Sequence, residues 1–240
     1  MADGIYLALS GALAQGALLE NTANNLANAT TDGFQRSRAV FRERVSPGGG
    51  PAAAHFSVLD TTALDGSAGA RRNTGRGLDA ALPEGTYLAV QTPRGERYTR
   101  AVSLAVAPDG ALRTSRGEAV LGEDGRPLTP GVGELTLGPD GALLRGGAPV
   151  GRLRLVRFPR PEALSPEGGA LLAASGRSGP AAAAPAVLEV GALEESNAPV
   201  VSAMTDLVTA SRNFEAFQRV IEAFREADRR VVTTVPGTNG

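Results

Sequence analysis

A chain of 240 residues is long enough for one large domain or two small ones, and a formal charge of −1 gives no long-range pull toward nucleic acid or an anionic membrane. All 24 basic residues are Arg, which excludes a phosphate-loop or Schiff-base lysine; the Arg-only complement is read as base composition rather than function. The absence of cysteine excludes a disulfide, a thiolate nucleophile and a Cys-bound metal.

The first predicted element is a helix. Apolar or small residues fall at Ile5, Leu9, Ala12, Gly16, Leu19, Ala23 and Leu26, in alternating steps of four and three. Asp3 suits its start, Thr30 to Gly33 its stop, and Ala8 and Leu18 widen the stripe. No secretory leader is expected, because the first basic residue is Arg36 and Ser10, Gly11, Gln15, Gly16 and Glu20 interrupt the apolar pattern; export would then use another route. No run approaches the roughly 20 apolar residues of a membrane span. Near the helix end Asn24-Asn25-Leu26-Ala27-Asn28 sets three Asn where their amides need partners. Local capping at a frayed end, or bonds across to a second helix or subunit, would both supply them.

The run Pro47-Gly48-Gly49-Gly50-Pro51 marks a linker over about 46–72. From Leu78 to about Leu188, short apolar runs alternate with turn signals at Pro93-Arg94-Gly95, Pro108-Asp109-Gly110, Glu123-Asp124-Gly125 and Pro139-Asp140-Gly141, the pattern of an all-β body. Pro-Asp-Gly-Ala-Leu occurs at 108–112 and again at 139–143, a hint of two similar hairpins. An Ala-rich stretch from Pro180 to Pro185 leads out of this body. Asn197 and Pro199 suit the cap and first turn of a closing helix whose seam reads Ala203, Leu207, Ala210, Phe214, Phe217, Ile221 and Phe224, then Val231. Three of the chain's 7 Phe lie on this seam, large side chains against a first seam that is partly Ala and Gly. The fold class expected is α+β, with long N- and C-terminal α-helices pairing as a coiled-coil-like helical domain and an inserted all-β middle domain. Its boundaries are 1–45 for the N-terminal helix, 46–72 for the linker, 73–188 for the β-rich middle and 189–240 for the C-terminal helix.

Candidate chemistry is thin. His55, the single histidine, has Ser57 and Asp60 nearby, but no strained nucleophile turn such as Gly-x-Ser-x-Gly accompanies them. Glu123, Asp124 and Asp140 read as turn formers rather than metal ligands, and Gly48 to Gly50 lack the strand and helix of a phosphate loop. Arg71, Arg72 and Arg76 form a basic cluster without interleaved aromatics, which reads as solvated surface. The expectation is no catalytic, cofactor or metal site, no nucleic-acid partner and no small-molecule substrate. The candidate site is an assembly interface: the two seams from Ile5 to Leu26 and from Ala203 to Phe224, together with Asn24, Asn25 and Asn28.

Several strings resemble the bacterial flagellar rod and hook family. At the start they are Leu9-Ser10-Gly11-Ala12, Gln15, Ala23 to Asn28, Thr31, Gly33-Phe34 and Arg38 to Phe41; at the end, Leu193-Glu194, Ser196-Asn197, Met204, Leu207, Arg212, Phe214-Glu215, Gln218, Val220-Ile221 and Asp228. The middle is similar through Thr74-Gly75, Leu78 to Ala81, Tyr98-Thr99-Arg100 and Pro108 to Leu112. It departs where relatives carry Gly-x-Gly-Phe-Phe and this chain has Pro83-Glu84-Gly85-Thr86-Tyr87, and at Val102 and Leu104. The resemblance implies a structural subunit exported unfolded by the flagellar type III apparatus. It further implies that the chain stacks with copies of itself, other rod proteins and hook-side neighbours into the rod crossing the periplasm, helices inside and β domain outside. The length points to the proximal or distal long rod subunits, and the opening Asp3-Gly4-Ile5-Tyr6 with the altered central motif resembles the proximal ones most, the distal ones next. The rival reading is a cell-envelope binding module or hydrolase built on the β domain.

Overall fold

A computed structural model describes residues 2–45 and 55–234. Helix α1 (Ala2–Ala27) opens the chain and helix α2 (Val200–Thr234) closes it. Between them β1 (Ser37–Val45) and β2 (His55–Leu64) pair as a two-stranded sheet. The chain divides into two compact units. One gathers α1 through Leu26, residues 39–62 and α2; the other takes residues 27–38 and 63–199.

The second unit is antiparallel β structure. Its strands are β3 (Arg71–Asn73), β4 (Asp79–Ala81), β5 (Tyr87–Thr92), β6 (Gly95–Thr99), β7 (Val102–Val106), β8 (Leu112–Thr114), β9 (Ala119–Val120), β10 (Leu135–Leu137), β11 (Ala142–Arg145), β12 (Ala148–Arg152) and β13 (Leu155–Arg157). An 11-stranded sheet runs through β6-β5-β9-β8-β7-β4, with β13 on β5 and short strands at its ends. β10, β11 and β12 make a second sheet, and β3 pairs with Ala192–Glu194 in a third. β5 is buried on both faces and sorts its side chains by alternation. Leu88 and Val90 join Leu82, Val102, Leu104, Leu112 and Leu143, whereas Tyr87 and Ala89 join Tyr98, Leu121, Phe158 and Leu164. Tyr98 stands edge-on to Phe158 with centroids 4.8 Å apart, and Tyr87 does the same at 6.0 Å. The departures Tyr87, Val102 and Leu104 are thus core residues that fill the sheet's two faces.

Three Asp-Gly turns share one chemistry. In each, the Asp side chain accepts a backbone N–H two residues on: Ala111 to Asp109 at 3.0 Å, Arg126 to Asp124 at 3.1 Å and Ala142 to Asp140 at 3.2 Å. The following Gly takes a φ of 80°, 74° and 75° in turn, which a side chain would resist. The two Pro-Asp-Gly-Ala-Leu strings therefore close equivalent hairpins, β7–β8 and β10–β11, and Asp124 and Asp140 bond within their own turns.

Two expectations are corrected. The segment 46–72 holds the strands β2 and β3 as well as loop, while the Pro47–Pro51 run falls outside the described residues. The coiled-coil-like helical domain is also overturned: the fold is mixed α+β, one helix at each end of a large β middle, and no coiled-coil seam joins the two helices among the described residues. On α1 the seam positions Leu9 and Ala23 are exposed, while Ala12 and Ala14, which lie about 200° apart around a helix, are both buried. Small residues on several faces let α1 be covered on more than one side, so no single stripe of bulky knobs is selected.

Candidate assembly interface

In the helical unit the expected interface residues are placed unevenly. Ala12 is buried, Gly16, Leu19, Asn25, Leu26 and Asn28 are half-buried, and Leu9, Ala23 and Asn24 are exposed. Ile5 lies in α1, with its side chain outside the described set. On α2, Ala203 and Ala210 are buried and Leu207, Phe214, Phe217, Ile221 and Phe224 half-buried, with the intervening positions mostly exposed. The Asn amides make local bonds: Asn25 Nδ2 donates to Asn21 Oδ1 at 3.2 Å, and the Thr31 hydroxyl to Asn28 Oδ1 at 3.4 Å.

The helices meet where aromatic rings bed on glycine. A Cβ built on Gly11 would lie 2.4 Å from the Phe217 ring, and one on Gly16 would lie 3.6 Å from Phe214. A glycine inside a helix costs about 1 kcal/mol relative to alanine. At Gly11 that cost is offset by a ring lying against the helix backbone. Gly11 was absent from the expected seam; the signal that could have found it is this glycine, unfavourable in a helix interior, within the Ser10-Gly11-Ala12 string. Beside these contacts runs a groove of about 460 Å³, lined by Leu9, Leu13, Gly16 and Glu20 of α1 and by Phe214 and Ile221 of α2.

In the β unit a separate cluster draws together strings scattered along the chain. Arg100 is fully buried and Glu194 is 3% exposed. The Arg100 Nε–H donates to the Glu194 carboxylate at 2.9 and 3.1 Å, and a second guanidinium nitrogen closes the pair. The remaining guanidinium donors go to the carbonyls of Thr86 at 2.8 Å, Pro83 at 3.1 Å and Leu82 at 3.3 Å. The Gly69 N–H donates to Glu194 Oε1 at 3.1 Å. Every lone pair and proton of the pair is thereby engaged, the condition under which a buried ion pair is tolerable. Close by, the Gly33 N–H donates to the Glu194 carbonyl at 2.7 Å, and Gly33 has φ +68° with no room for a Cβ, which would fall 2.2 Å from the Ala101 nitrogen.

Asn197 does not cap α2. Its Oδ1 accepts the Arg36 N–H at 2.7 Å, and its Nδ2 donates to the carbonyls of Ser67 at 2.8 Å and Asp65 at 3.0 Å. Arg36 in turn pairs with Asp65 at 2.8 Å. Burial acts to raise the Asp65 pKa, but the Ser67 N–H and the Arg36 guanidinium outweigh it and hold the carboxyl below its usual value. Burial, then the bond to Glu96, pushes the Tyr98 phenol up to about 12.

The Arg cluster is engaged by carboxylates: Arg71 with Glu189 at 2.6 Å, Arg72 with Asp32 at 3.1 Å and Glu195 at 3.0 Å, Arg76 with Asp79 at 3.5 Å. His55, Ser57 and Asp60 lie in β2, their side chains outside the described set. Among the described residues no group of three metal-ligating side chains gathers, and no helix is long and apolar enough to cross a membrane.

Two helices packed ring-on-glycine and a β unit clasped by residues from both ends of the chain define a structural subunit. Residues 189–234 match the family described as flagellar basal body rod FlgEFG protein, C-terminal. The chain is 37% identical over 216 residues to the flagellar basal-body rod protein FlgF of Escherichia coli strain K12, covering 84% of this chain and 86% of that one. It is 31% identical to the FlgF of Caulobacter vibrioides over 97% of both chains, and 28% identical to the flagellar basal-body rod protein FlgG of Bacillus subtilis over 97% and 98%. The chain belongs to the family of flagellar basal-body rod proteins.

Proposed function

We propose that this chain is a structural subunit of the bacterial flagellar basal-body rod, of the FlgF kind, which polymerises through its terminal helices. The observation that carries the reading is identity of 31% and 37% to FlgF proteins along most of the chain, against 28% to a FlgG protein. The distal, FlgG-like position is the less supported alternative. The part proposed for the helices follows from their chemistry: Leu9 and Leu13 on α1, and Val201, Met204 and Val208 on α2, expose apolar side chains that water does not favour. The partners proposed are further copies of the chain, other rod proteins and hook-side neighbours, and the flagellar type III export apparatus. The place proposed is the periplasm-spanning shaft. The identity to FlgF proteins along most of the chain supports the rod-subunit reading over an envelope hydrolase or binding module.

Electron microscopy of basal bodies from a strain lacking the gene, with a tagged copy restored, tests it. Rods missing or stopped short without the gene, and the tag on the rod when restored, are the expected result. Intact rods and hooks in the deletion strain would overturn it.

A further inference from the structure

α2 carries a second apolar stripe that its own chain leaves uncovered. Val201, Met204 and Val208 are 78%, 53% and 52% exposed and share one face through spacings of three and four. At about 100° per residue this face points some 120° away from the seam of Ala203, Leu207, Ala210 and Phe214, so it turns away from α1. On α1, Leu9 and Leu13 are 46% and 69% exposed along the groove that Gly16 lines beside Phe214. One molecule thus presents a ridge and a groove on different surfaces. The ridge cannot reach the groove of its own chain.

We infer that the α1 groove of one copy receives the outward stripe of α2 from a second copy, antiparallel, with Val208 against Leu13, Met204 over Gly16 and Val201 beside Glu20. The chain's own α1–α2 pair is antiparallel too, since Gly11 meets Phe217 and Gly16 meets Phe214, so this orientation keeps successive copies pointing the same way. Rises match: residues 13, 16 and 20 on one helix and 208, 204 and 201 on the other span the same length at about 1.5 Å per residue. The bulkiest knob meets the smallest residue of the groove's lining. Charge agrees as well: α2 has no acidic residue in its first turn, and the exposed Glu20 brings a carboxylate to that electropositive end. The parallel alternative sets Leu9 against Val201 but inverts every second copy. A ridge and groove on different surfaces make a heterologous contact, which propagates as an open helix rather than closing as a dimer.

This inference rests on the rod-subunit reading and is tested within it. The chain has no cysteine, so Leu13→Cys with Val208→Cys introduces the two thiols of the protein. Mild oxidation of basal bodies assembled from this variant should give a covalent ladder of the chain, absent from either single variant. Rods that assemble without a ladder overturn the contact and leave the rod role standing. Should the cysteine pair itself block assembly, Met204→Asp decides: it leaves the intrachain helix seam untouched, so normal swimming overturns the contact, whereas loss of rods with an unchanged unfolding midpoint of the purified chain supports it.

Discussion

Arg100 and Glu194 show what a single pair of side chains can hold. Their sequence separation of 94 residues is closed by a bidentate bond in a site without water access, and the surrounding carbonyls of Leu82, Pro83 and Thr86 use the rest of the guanidinium. Glu194→Ala would leave a buried Arg with unmatched charge, a loss of about 3–5 kcal/mol. Urea unfolding of the purified variant should show that drop, and Arg100→Ala a similar one, while the double variant Arg100→Leu with Glu194→Leu should recover much of it. Both residues stood inside recognisable strings, Tyr98-Thr99-Arg100 and Leu193-Glu194, yet no rule of spacing pairs positions so far apart. Asn197 teaches the same lesson in reverse: a residue suited to capping a helix instead ties residues 36, 65 and 67 together through their backbone groups.

At the level of elements, α1 is shaped by its glycines. Gly11 admits the Phe217 ring, so Gly11→Val should force ring and helix apart at a cost of about 1–3 kcal/mol, read as reduced helical circular dichroism in the purified chain and as failed rods in cells. On α2 the apolar repeat in steps of four and three was legible, because a helix that buries one face must carry such a repeat. Turns were legible for a similar reason: Asp followed by Gly can satisfy its own backbone locally, and the turns at Asp109-Gly110, Asp124-Gly125 and Asp140-Gly141 close in that way. The strands at His55–Leu64 and Arg71–Asn73 were not, since each is held by pairing with a distant partner rather than by its own pattern.

For the whole molecule, the carboxylates of the β unit set its response to acid. Asp65 is held low despite its burial, Glu167 chiefly by Arg97, and Asp109 chiefly by the Ala111 N–H. A carboxyl whose folded pKa is depressed adds stability above its unfolded value of about 4, and that stability disappears as pH falls through the folded value. Urea midpoints should therefore stay level near neutral pH and fall below about pH 4, with a shallower fall in Asp65→Asn. By itself the amino-acid sequence determined the elements whose causes are local: two terminal helices, Asp-Gly hairpins, a β middle, and a family resemblance carried by short strings. The tertiary structure alone decided that the helices meet at Gly11 and Gly16 without a coiled-coil seam, that Gly33, Arg100 and Glu194 are brought into buried contacts, and that Asn197 reaches residues 36, 65 and 67. Such contacts depend on which distant groups are left needing a partner once the chain is compact, and that is a property of packing, not of any window of residues.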